Sequence, residues 1–89
     1  MHAAVADPVM LADATRQAEL VVDKANPGVD ADSRALFMMA YAIDRATKFA
    51  ARDGAHSPMA LAFGQVGQTI AARITAGIMQ RVDQALAQD

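Results

Sequence analysis

The chain reads as an all-α protein, a three-helix antiparallel bundle with a long C-terminal helix, completed by dimerisation. Three observations lead there. Twenty-two of the 89 residues are alanine, the best helix former, because it loses no side-chain entropy and leaves the backbone ladder undisturbed. Proline and glycine fall in tight groups that divide the chain into three segments, and the period-two alternation of strands is absent throughout. Finally, 54% of residues are hydrophobic but only 4% aromatic, which suits close approach of helices across methyl groups.

The first helix is expected from Pro8 to about Lys24 or Ala25. Asp7 supplies an N-cap acceptor and Pro8 occupies the first turn, where its missing N–H costs nothing. Leu11, Ala14, Ala18, Val22 and Ala25 recur at steps of three and four, so one side is apolar. Asn26-Pro27-Gly28 ends it.

The second helix opens between Asp30 and Ser33 and closes at Asp53-Gly54, spanning roughly residues 31–53. Residues 35–43 form an uncharged run that covers every side of a helix, so this helix is expected to be the buried, central element. Its polar residues gather late and to one side: Asp44, Arg45, Lys48 and Arg52.

The third helix opens at Ser57-Pro58 and is expected to continue to about residue 87. Thirty helical residues span about 45 Å, against roughly 27 to 32 Å for the other two. The surplus must project, pack on another chain, or break at Gly64-Gln65-Val66-Gly67; a continuous helix is the expectation.

This helix carries the main functional expectation. Met59, Phe63, Val66, Ile70 and Ile74 form a ridge of large groups. Beside it lie Ala60, Gly64, Gly67 and Ala71, then Ile78 and Val82. A glycine inside a helix costs about 1 kcal/mol relative to alanine. Two of them one turn apart make a shallow groove in which a facing helix recovers that cost through dispersion contacts. Met59, Ala60, Phe63, Gly64, Gly67, Ile70, Ala71, Ile74 and Ile78 are therefore the expected interface. A second copy is the favoured occupant and a helix of the same chain the competing one.

Oligomerisation also answers a size problem. A single chain of 89 residues has a thin core, and without cysteine it has no disulfide or thiolate metal site to reinforce it. The lack of cysteine fits a cytoplasmic location, and the first residues carry neither the basic nor the apolar region of a signal peptide. A membrane span over 54–72 is set aside: two glutamines, a serine, a histidine and a proline interrupt it.

Partner binding is expected on the second helix, through Met38, Tyr41, Arg45, Lys48 and Arg52. Met38-Met39 offers adaptable apolar surface, against the plainer role of filling gaps in an alanine core. Arg34, Arg45, Lys48 and Arg52 share a sector of about 60° with Tyr41, at 100° per residue. Asp44 blunts that charge by pairing with Lys48. A net charge of −2 argues against bulk nucleic-acid binding, so a nucleic-acid regulator using this stripe is the alternative rather than the leading reading.

Catalytic and metal chemistry find little support. His56 precedes a helix cap with no second ligand nearby, and His2 lies in the terminal segment. Asp30 and Asp32 lack the glycine and closing glutamate of an EF-hand loop and are better read as capping carboxylates. Ser33 and Ser57 read as caps, with no nucleophile elbow or phosphate-binding glycine loop. No cofactor and no enzymatic activity are expected. The sequence suggests a homodimeric helical adaptor that binds another protein, with an accessory subunit or small-ligand binder as a further alternative. Its alanine, aspartate and arginine bias, with two lysines, has the look of a high-GC bacterial coding sequence.

Overall fold

A computed structural model describes residues 5–88 and consists of three α-helices joined by short turns: α1 (Pro8–Ala25), α2 (Ala31–Asp53) and α3 (Pro58–Ala87). Each begins on a side-chain cap. Asp7 Oδ1 accepts hydrogen bonds from the Val9 and Met10 amides at 2.8 and 3.3 Å. Asp30 Oδ2 accepts from the Ser33 amide at 3.1 Å, and Ser57 Oγ from the Ala60 amide at 3.2 Å. These acceptors satisfy amides that have no partner within the first helical turn. Gly54 closes α2 with φ at 97°, a conformation that favours glycine, and its amide donates to the Ala50 carbonyl.

Each helix touches both others, and the α2–α3 contact is the most extensive. Ala14, Ala18 and Val22 of α1 meet Met38 and Ala42 of α2 and Ala62, Phe63, Val66 and Ile70 of α3. Phe63 is the largest fully buried side chain. Its ring stacks on Phe49 at 5.8 Å with an interplanar angle of 9°, and meets Tyr41 edge-on at 6.0 Å. Around this aromatic group the core is mostly methyl groups and small aliphatic chains.

The central element is α3, not α2. Its stretch from Ala60 to Ile70 supplies six buried residues, whereas α2 buries only Met38 and Ala42. Leu36, Phe37 and Ile43 of α2 stay 48, 40 and 49% exposed. The uncharged run of α2 is apolar on every side, but two neighbouring helices cover only part of its circumference.

Gly64 and Gly67 do not interrupt α3, which runs unbroken for 30 residues, about 45 Å. By the same rise, the 23 residues of α2 span about 35 Å. Beyond Ile74 no residue of α3 is buried, and the last turns leave the bundle unaccompanied.

Candidate interaction surfaces and an interhelical cleft

The groove on α3 is filled from within the chain. A Cβ placed on Gly67 would lie 3.0 Å from Ile43 Cγ1 and 3.8 Å from Ala42 Cβ, and one on Gly64 would lie 4.0 Å from Ala46 Cβ. The helix seated against the two glycines is α2. Of the expected interface residues, Ala60, Phe63, Gly67 and Ile70 are buried by this packing. Met59, Gly64, Ala71 and Ile74 are half-buried, and Ile78 is exposed. The residues available to a second chain are thus the later ones. Backbone-to-backbone approach of α2 and α3 consumes the earlier ones.

What the chain leaves uncovered lies elsewhere. On α3, Ile78, Met79, Val82 and Leu86 are 50, 49, 42 and 66% exposed. Ala71, Thr75, Ile78, Val82 and Ala85 recur at alternating steps of four and three, the spacing of a helix–helix seam. On α2, Leu36, Ala40 and Ile43 share a second uncovered apolar sector. Ile78 and Val82 stood out in the sequence. Leu36, Met79 and Leu86 did not, because their exposure depends on where the other helices stop.

The expected partner-binding residues of α2 part company. Met38 is a core residue, only 8% exposed, because its side of the helix faces α1 and α3; it contributes no outer binding surface. Tyr41 is half-buried against Phe63. The Arg45 guanidinium lies over the Tyr41 ring at 5.4 Å, and its Nε is buried without a hydrogen-bond partner among the described residues. Lys48 pairs with Asp44 at 3.0 Å. Arg52 pairs with Asp53 at 3.0 Å while lying 5.1 Å from the centre of the Phe49 ring.

Arg34 leaves the basic stripe altogether. Its Nε and Nη2 donate to Asp23 Oδ1 and Oδ2 at 2.7 and 2.9 Å, a two-point bond tying α2 to α1, with Glu19 3.8 Å away. Hydrogen bonding from Arg34 holds the Asp23 carboxyl below its ordinary pKa. Hydrogen bonds from Ser33 do the same for Asp30, consistent with its capping position.

A cleft of about 550 Å³ opens where the three helices meet. Leu11 of α1, Ala35 and Met38 of α2, and Val66, Ile70 and Ile74 of α3 form its apolar lining. Thr15, Glu19, Arg34, Thr69 and Arg73 bring polar groups to it. Arg73 and Ile74 continue into a second depression that reaches Gly77, Ile78 and Arg81. Thr69 is legible in the sequence as an uncharged polar group of α3, but its shared cleft with Arg73, one turn later, needs three helices.

His56 sits exposed in the turn before α3, and His2 lies outside the described residues. Among the described residues no group of three histidine, aspartate or glutamate side chains is placed to hold a metal ion. Among the same residues no helix is long and apolar enough to cross a membrane. No family model, curated protein or solved structure matches the chain.

Proposed function

We propose that this chain is a non-enzymatic helical adaptor, an antiparallel three-helix bundle that acts as a homodimer and binds another protein. The observation that carries the dimer is the uncovered stripe of Ile78, Met79, Val82 and Leu86 on the part of α3 that outruns the core. A helical segment of this length without tertiary contacts is marginal in water, because most helix stability in proteins comes from packing an apolar face. The α3 of a second copy, crossed or antiparallel, offers the same stripe in return, as a two-fold interface requires. Ala71 and Thr75 extend the seam toward the bundle with side chains small enough for close approach.

The antiparallel arrangement is supported by register: Gly64 faces Ala46 and Gly67 faces Ile43, so one helix counts upward as the other counts downward. The partner-binding face is the Tyr41, Arg45, Lys48 and Arg52 stripe, doubled by dimer symmetry. Arg45 is its strongest element, since Lys48 and Arg52 already have carboxylate partners. Those ion pairs also weaken the nucleic-acid alternative, which needs cations free for phosphate. A chain without cysteine suits the cytoplasm, and no cofactor enters this reading.

Light scattering over a concentration series tests the dimer. The expected mass is twice the 9.4 kDa of the chain, falling to one copy in the double variant Ile78→Asp/Val82→Asp with helicity largely retained. A wild-type chain that stays monomeric at high micromolar concentration overturns it.

A further inference from the structure

We propose that the cleft between the three helices is a binding site for a small amphipathic carboxylate, an apolar tail bearing one anionic head. Its volume, about 550 Å³, falls within the range of ligand pockets, and its lining has their usual make-up of apolar walls with a few polar groups. Leu11, Met38, Ile70 and Ile74 offer the tail a surface drawn from all three helices. The remaining question is what the polar groups recognise.

Their hydrogen bonds answer it. Three of the four threonines, Thr15, Thr47 and Thr75, turn their hydroxyls back onto the carbonyl four residues earlier, at 2.9, 2.9 and 2.8 Å. Among the described residues Thr69 alone makes no such bond, and it lines the cleft. Arg73, one turn later on the same side of α3, has no ion-pair partner among the described residues. A hydroxyl donor and a guanidinium with no ion-pair partner among the described residues, four residues apart on α3, line the same apolar trough. That pairing matches a carboxylate, which accepts on both oxygens.

The one acid in the lining does not oppose this. Glu19 of α1 lies 3.8 Å from the Arg34 guanidinium of α2, which Asp23 already holds at two points, so its charge has a cation beside it. The Arg34–Asp23 bond also joins α2 to α1. Arg73 is therefore the cation available to an incoming anion.

Decanoate and decanol, which share a tail and differ in the head, provide the test by isothermal titration and amide shift mapping. Decanoate should bind saturably, shifting amides of Leu11, Met38, Thr69, Ile70 and Arg73. Arg73→Gln should weaken decanoate by about tenfold or more, the size of a lost charge-assisted hydrogen bond, and leave decanol unchanged. Thr69→Val, which keeps the shape and removes the hydroxyl, should weaken decanoate by a few-fold. Neither position is buried, so both variants should keep the fold.

Binding in the cleft does not require the dimer. The Ile78→Asp/Val82→Asp chain should bind decanoate as the wild type does, even if the wild type proves monomeric. Equal binding of decanoate and decanol, no effect of Arg73→Gln, shifts confined to the outer seam of α3, or no saturable binding at millimolar concentration would each overturn it.

Discussion

Gly67 of α3 lies against Ile43 of α2 so closely that a Cβ added at the glycine would stand 3.0 Å from Ile43 Cγ1. Both the cost of this glycine and its benefit can be measured. Gly67→Ala gains about 1 kcal/mol of helix propensity. It must also displace a β-branched side chain with one strongly preferred rotamer, an overpacking cost of about 1–3 kcal/mol. The expected outcome in chemical denaturation is a net loss of about 1 kcal/mol, reversed when Ile43→Ala is added to clear the space. Gly64→Ala, 4.0 Å from Ala46 Cβ, and Gly77→Ala, with nothing near, should each stabilise by up to about 1 kcal/mol. A destabilised Gly77→Ala would show that this turn of α3 is more crowded than the chain alone makes it.

Phe63 is fully buried between the Phe49 and Tyr41 rings. Phe63→Ala removes the largest core side chain and should cost about 3–5 kcal/mol. Small domains hold only about 5–15 kcal/mol in all, so the melting temperature should fall steeply. Circular dichroism melting checks this. Phe49→Ala, at a half-buried position, should cost clearly less. Equal losses would mean that the stack, rather than burial, carries the energy.

Acid should weaken the α1–α2 junction. The Asp23 carboxyl is held below its ordinary pKa by the hydrogen bonds from Arg34, so the folded state favours the ionised form. That contribution is present above the unfolded carboxylate pKa of about 3.9 and is lost as pH falls through the lower folded value. Asp30, depressed by Ser33, adds in the same direction. Melting temperature should therefore fall below about pH 4, less steeply in Asp23→Asn, which begins less stable at neutral pH. An identical slope in that variant would remove Asp23 from the account.

Amide hydrogen exchange should divide α3 in two. The stretch from Ala60 to Ile70 supplies the buried residues of α3, while residues from Ile78 to Ala87 are exposed. At dilutions where the chain is monomeric, amides of the later segment should exchange much faster, because exposed helical turns open locally at little cost. Their protection should rise with protein concentration. Uniform protection along α3 in a dilute monomer would contradict the division.

The helices themselves were legible from local signals. Asp7-Pro8, Asp30, Ser57-Pro58 and Gly54 mark their ends, and each works through hydrogen bonds or dihedral angles spanning no more than four residues. Such information is contained in the sequence neighbourhood and needs no partner.

Which faces are covered was decided only in three dimensions. The periodicity of α3 announced a groove at Gly64 and Gly67, but α2 fills it, so the surface in need of covering moves outward to Ile78, Met79, Val82 and Leu86. Met38 turns inward, Arg34 is captured by Asp23 of another helix, and Thr69 and Arg73 gain a shared cleft. A helix's own pattern shows which residues share a side. Burial, ion pairing and cavity formation depend on how far neighbouring helices extend and at what register they cross, and no window of local sequence contains those distances.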